Sequence, residues 1–351
     1  MGLGVVVTVG GAADDELAQA SRIEVHERAG ETTTFALRFP ADVSDGDFAL
    51  LVDRRLDPES ELSVLVPTRA GETCLVKGPV HAQQIHLEHG GAGSHVDVRG
   101  SDGTVAMDRE VQSAIWDGAD SDAVSAIVSR YGFAPDVERT DALHPESKHT
   151  LVQRDSDLRF VRRLARRNGC LFWVTADAFG IETAHFRPPP LDAEPVAELA
   201  VNLEQPSLTT VELSWDVERP TSAEGQQLEL AEKTNLDGAA DRSPLTALGD
   251  RALADIVAGP RSVHVAVPAD DAGDLRARTE GALADAGWFV EASCSTTVDA
   301  LGSVVRAADV VDLAGAGSRH SGRYFVTGVR HVIDATQHRM ELELRRNGWN
   351  G

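Results

Sequence analysis

The sequence predicts an α+β chain that is predominantly β, with two antiparallel β-barrel domains on either side of a small inserted α/β domain. Three observations carry this expectation. Apolar residues recur at every second position in 4–9, 23–39 and again from 207 onward, which is the period of half-buried strands. Spacings of three and four replace that period in 121–131 and 156–168, the mark of amphipathic helices. The 351 residues include 31 glycines and only 5% aromatics, a balance that leans toward a turn-rich β architecture of about two to three domains.

The first block, 1–102, opens with a strand at 4–9. Ile23, Val25, Phe35, Leu37 and Phe39 then alternate with polar residues on both sides of Gly30-Glu31, which predicts a hairpin with one wet and one buried face. A loop rich in Asp and Gly at 41–47 precedes strands at 62–66 and 74–77, and the chain returns through Gly78-Pro79-Val80 to 81–89 and 96–99. Five or six antiparallel strands in this block predict a closed barrel, since closure removes exposed edges.

The insert, 103–200, changes period. Val124, Ile127, Val128 and Tyr131 share one helical face, and Gly132 stops the helix. A complete helix-to-strand unit follows at 155–174. Asp155 or Ser156 caps it, Leu158, Val161, Leu164 and Ala165 form one apolar stripe, and Gly169 supplies the left-handed residue that ends it. The run from Cys170 through Phe172 to Val174 is then a buried strand, and Pro188-Pro189-Pro190 closes the insert. The second barrel, 201–351, begins with alternation at 207–217, continues through an acidic exposed loop near 218–250 and a helix at 275–286, and ends in strands at 288–297, 310–313, 324–334 and 339–345.

Charge and motif chemistry exclude several function classes. A formal net charge of −23 with only three lysines argues against nucleic-acid recognition, which needs clustered cations that release counterions. No apolar run reaches the length of a membrane span, and the amino terminus lacks a basic region followed by an apolar core, so the chain is expected to stay in the cytoplasm of the producing cell until it joins a particle. Cys74, Cys170 and Cys294 fall on predicted strands and read as small buried hydrophobes. His81, His86, His89 and His95 do not converge on one strand face, so no metal is expected. Glu59, Glu61 and Glu110 sit in polar surroundings that would not raise a carboxyl pKa for glycoside hydrolysis, and Ser113, Ser125 and Ser321 lack a nucleophile elbow. Neither a phosphate loop nor any other cofactor motif is present. Arg162, Arg163, Arg166 and Arg167 form the densest basic cluster, a candidate surface for an acidic partner or else a solvated helix face.

The unit Asp155-Ser156-Asp157, Phe160, Arg163-Leu164-Ala165, Gly169 and Phe172 resembles a signature of the phage tail-hub family, which includes the late-control D proteins and the amino-terminal half of VgrG spike proteins. Gly78-Pro79-Val80 with the 96–102 segment is similar to a second part of that pattern. The segment Ser321-Gly322, Tyr324 and His331 is similar to its ending, with His320 where an aromatic is more usual. The resemblance implies the tail-hub fold, in which two similar antiparallel β-barrels lie side by side, the first tube-like, and a structural rather than enzymatic protein with no cofactor. It further implies a homotrimer that joins a sixfold inner tube to a threefold spike in a phage tail or contractile injection system and meets baseplate wedge components. Since the sequence stops soon after the last barrel strand, the spike is expected to be a separate polypeptide. The competing expectations are a baseplate-associated peptidoglycan hydrolase and a carbohydrate-binding β protein, the latter disfavoured by only five Trp and two Tyr.

The apolar stripe makes a direct prediction. Leu164→Asp should destabilise the chain by several kcal/mol through a buried unpaired charge, whereas Arg163→Ala should cost far less. Thermal melts of the two variants compare them, and equal tolerance would mean that the stripe is misplaced.

Overall fold

Strand pairing joins the first segment of the chain to the last. The computed structural model describes residues 4–41, 53–69, 71–89, 91, 93–148, 151–229, 233–266 and 268–351; most of the expected Asp/Gly loop at 41–47 therefore lies outside the described residues. The architecture is predominantly β. The largest sheet runs in the spatial order Val211–Trp215, Val290–Thr297, His338–Arg346, Gly322–Ile333, Arg22–Arg28, Thr34–Pro40, His95–Ser101, Gly71–His86, Glu61–Thr68, Val6–Val9 and Ala12–Ala13. Val310–Ala314 pairs with the first residues of Gly322–Ile333, from Leu313 opposite Gly322 to Val310 opposite Phe325, and in turn with Glu198–Ala200. The expected hairpin is present, with Ile23 opposite Leu37 and Val25 opposite Phe35. Among the described residues this path is open at both ends, and its hydrogen bonds do not draw the closed barrels expected from the sequence.

Two cores lie against this sheet. One gathers Val25, Leu37, Val64, Val76 and Val98 from the first segment together with Ile333 from the last. The other gathers Phe289, Val311, Tyr324, Leu342 and Leu344. All three cysteines are free and buried.

The middle segment builds its own core. Leu171–Ala176 pairs antiparallel with Glu182–Arg187, which pairs parallel with Ala134–Val137, and Phe172 stands opposite Phe186. The helices Asp120–Arg130 and Asp157–Arg167 share a core with these strands: Val124, Ile127, Phe160 and Leu164 are fully buried with Phe172 and Phe186. Ser156 caps the second helix by accepting from the backbone N–H of Arg159 at 3.4 Å, and Gly169 ends it at φ +65°.

The acidic stretch near 218–250 is not a loop throughout, which corrects the sequence expectation. Ser222–Glu229 and Thr234–Ala240 form an antiparallel pair, extended in parallel by Ser262–His264, and the helix Ala272–Ala286 packs on it. The strands face that helix with small residues. A Cβ placed on Gly225 or Gly238 would come within 2.7 or 2.8 Å of the Leu275 side chain, so the close approach depends on residues that register as neither hydrophobic nor alternating.

Where the first and last segments meet, an ion pair between buried Glu27 and part-buried Arg306 bridges them. Arg306 donates to Glu27 at 2.6 Å and to the carbonyls of Cys74 and Leu75 at 2.6 and 2.9 Å. Although burial opposes ionisation, Arg306 and His331 hold the Glu27 carboxyl below its ordinary range. His331 Nε2 lies 3.2 Å from Glu27, and its Nδ1 lies 3.0 Å from Nε2 of His338. Burial, reinforced by neighbouring His331, pushes His338 down to about 3 from 6.5. The unfolded chain therefore binds the extra proton between those values, and stability present above about pH 6.5 is lost as the pH falls toward the folded value. Acidification should lower stability by at most about 1.4 kcal/mol per pH unit from this group. Urea titrations from neutral to mildly acid pH should show a shallower decline for His338→Leu than for the parent chain.

Candidate functional site

The helix Asp157–Arg167 carries the residues singled out by sequence, and its carboxyl end runs into the helix Ala272–Ala286. Their contact is close because Gly281 faces the end of the first helix: a Cβ there would lie 2.6 Å from the carbonyl oxygen of Arg167. On the other side of the turn, a Cβ on Gly169 would sit 3.2 Å from that of Ala284. One face of this junction is a closed polar network and the other is an open cleft.

The network centres on Asp120, which is 1% exposed at the start of helix Asp120–Arg130. It accepts from Arg167 Nε at 2.5 Å and from Asn168 at 2.6 Å, and Arg167 Nη2 makes a second, shorter bond. Fully buried His144 bridges Asp120, at 3.3 Å, and Asp270, at 2.5 Å. Burial raises the Asp120 carboxyl, yet the bonds from His144 and Arg167 outweigh it and hold the group at about 2. The same Asp120 contact keeps His144 above its ordinary value against the opposing effect of burial. One atom from each of His144, Asp270 and Asp274 lies within 4.8 Å of the others, a spacing that suits a cation. Arg278 already donates twice to Asp274, at 2.9 and 2.8 Å, Lys148 donates to the Asp270 carbonyl, and Arg167 neutralises Asp120. These side chains supply the positive charge that an ion would otherwise bring.

The cleft opens beside this network and measures 990 Å³. Arg154, Arg163 and Arg166 line it together with Arg167, Arg278 and Lys148, against two acidic residues, Asp155 and Asp285. Leu171, Leu245 and Trp288 contribute apolar lining. The four arginines of the sequence cluster thus have different environments. Arg167 is held by Asp120, Arg162 donates to Thr32 at 2.9 Å, Arg163 lies 3.3 Å from Asp155 and 5.1 Å above the Phe160 ring, and Arg166 is exposed.

The remaining signature residues have structural surroundings. Ser156 donates to Asp108, and Phe160 stacks on Trp116 with ring centres 6.1 Å apart. Ser321 accepts from Ala316, Gly322 opens a strand at φ +123°, and Tyr324 donates to the His320 carbonyl at 2.9 Å. All three surround Arg346, which is 1% exposed and donates to the carbonyls of Leu248 and Ser321. His331 belongs to the buried bridge with Glu27. The structure brings His86 and His95 together on the surface with ring centres 5.0 Å apart, while His81 bonds Ser101 at 2.7 Å and His89 is exposed. Sequence reasoning did not single out Glu27, Asp120, His144, Asp270, Arg306 or Arg346, since each meets its partner only through the fold.

The model of a family described as the Alg8 N-terminal domain matches residues 3–335. No curated protein matches the sequence. Among solved structures, a tail protein from Neisseria meningitidis MC58 is similar at TM-score 0.66 and 14% identity, covering 99% of this chain and 98% of its own. The 43 kDa tail protein of prophage MuSo2 from Shewanella oneidensis is similar at TM-score 0.63 and 12% identity, covering 98% of each chain. An E. coli component of the type VI secretion system is similar at TM-score 0.58 and 13% identity, over 97% of this chain and 76% of that one. At these identities the likeness is one of fold.

Because Asp120 is buried among its donors, removing one of them should be costly. Arg167→Ala is expected to lower stability by about 3–5 kcal/mol, and Arg166→Ala by less than about 0.5 kcal/mol. Chemical denaturation of both variants at neutral pH measures the contrast.

Proposed function

The chain belongs to the Alg8 N-terminal domain family, and we propose that it is a structural baseplate protein, a homotrimeric hub that joins a sixfold inner tube to a threefold spike in a phage tail or contractile injection system. The observation that carries this reading is fold similarity over 98% of the length of two tail proteins. In this reading the chain is organised as a first barrel-like domain at 1–102, an insert at 103–200 and a second barrel-like domain at 201–351. Three copies then offer six related β surfaces to a tube and threefold symmetry to a separate spike, so a symmetry mismatch is met by one polypeptide. Baseplate wedge components would meet the outer surface.

Two surface features support assembly. The main sheet ends on Val211–Trp215, where Trp215 is 53% exposed, an edge suited to pairing with another chain. Phe179 and Ile181 stand out at a hairpin tip at 91% and 59% exposure, and apolar groups grouped in this way favour contact with another protein. The reading assigns the chain no enzymatic role and no cofactor. Burial raises the carboxyls of Asp102, Glu182 and Asp309, the last to about 6, but none of these lines the large cleft. No described helix is long and apolar enough to cross a membrane.

Native mass spectrometry of assembled baseplates should find three copies per particle, and one or two copies would remove the hub assignment. The purified chain should leave peptidoglycan intact in a zymogram. Clearing there, abolished by a carboxylate substitution, would favour the hydrolase reading instead.

A further inference from the structure

We propose that the cleft between the helices Asp157–Arg167 and Ala272–Ala286 is a docking site for a short acidic peptide segment of a partner protein, with carboxylates meeting Arg154, Arg163 and Arg166 and an apolar side chain meeting Leu171, Leu245 and Trp288. The inference concerns the surface of this chain and does not depend on the hub reading.

Charge sorting is the first ground. The chain has 56 acidic against 33 basic residues, yet the cleft reverses that balance, with six cationic side chains to two acidic ones. Lys148, Arg167 and Arg278 are already engaged in the polar network behind the cleft. Arg154 and Arg166 are different: both are exposed, and their guanidinium groups make no hydrogen bond or ion pair among the described residues. Arg163 is half-engaged, by Asp155 and the Val152 carbonyl, and its stacking on Phe160 fixes the plane it presents. Arg162, Arg163, Arg166 and Arg167 repel one another at helical spacings of three and four. In a chain with such an excess of carboxylates, arginines left without them in a concavity favour an anion from outside.

The shape and the apolar lining identify the kind of anion. A cleft of 990 Å³ is at the upper end of the range for compact ligand sites, and it has room for several side chains. Inorganic phosphate would use the arginines and leave Leu171, Leu245 and Trp288 unused. A long polyanion would experience the net charge of −23 beyond the cleft as repulsion. A short segment is governed by the local field, since screening confines charge interactions to about 8 Å at physiological salt. Guanidinium groups pair carboxylates in a planar, two-pronged geometry, and an apolar anchor gains from the buried lining.

The test uses the full chain and a fluorescein-labelled peptide of alternating Glu and Leu, followed by anisotropy. Saturable binding is expected, weakening as salt rises, with much weaker binding of peptides in which Lys replaces Glu or Ser replaces Leu. Arg154→Glu combined with Arg166→Glu should reduce affinity by about tenfold or more while leaving the melting temperature unchanged, as neither side chain supports the fold. Leu245→Ser should weaken binding of the Glu/Leu peptide without affecting its salt dependence. Indifference to the double substitution, equal binding of the Lys peptide, or full competition by inorganic phosphate or single-stranded oligonucleotide would each overturn the proposal. So would binding that appears only because the chain associates with itself, which sedimentation at the same concentrations would reveal.

Discussion

The contact between Glu27 and Arg306 is the constraint on which the architecture turns. One guanidinium joins a carboxylate on the strand Arg22–Arg28 to two carbonyls on the strand Gly71–His86, while His331 approaches the same carboxylate from the strand Gly322–Ile333. Glu27 is buried and Arg306 only partly exposed, so leaving the carboxylate without its partner carries a large desolvation cost. The pairing of Arg22–Arg28 with Gly322–Ile333 runs beside it, from Ile23 opposite Ile333 to Arg28 opposite Gly328. Hydrophobic burial supplies the bulk of the stabilisation on either side of this seam, and the ion pair sits where the two halves meet.

A second buried network repeats this logic at the junction between the middle segment and the helix Ala272–Ala286. Asp120, His144, Arg167 and Asp270 come from four separate stretches of sequence and satisfy one another almost completely. The helix contact there is set by backbone proximity at Gly169 and Gly281 as much as by side-chain packing. With the network turned inward, Arg166 of the same helix is left unpaired at the cleft, beside Arg163, whose charge Asp155 meets only in part. The same element therefore anchors the fold through Arg167 and offers charge to a partner through Arg166, and the two roles are one residue apart.

The fold similarity to tail proteins spans nearly the whole chain at identities of 12–14%. Few residues can be held in common at that level, which fits an architecture specified by strand order and local signatures more than by particular core side chains. The signature residues are consistent with this. Phe160, Leu164 and Phe172 fill the middle core, Ser156 caps its helix, and Ser321, Gly322 and Tyr324 surround buried Arg346. Each sits at a local junction of the fold.

What the sequence determined by itself was local. The unit 155–174 carried its cap, apolar stripe, left-handed stop and following strand within twenty or so consecutive positions, and all of them stand where the pattern placed them. The hairpin 22–40 was legible for the same reason, since alternation fixes which face is buried. Tertiary structure decided the rest. The strands within 218–250 escaped notice because glycines, rather than large apolar residues, meet the helix above them at Gly225 and Gly238. Arg167 could be recognised as basic but not as the partner of Asp120, 47 positions away, and Glu27 gave no sign of Arg306, 279 positions away. Periodicity records the face a residue turns toward the interior; which opposite charge waits there depends on the path of the whole chain.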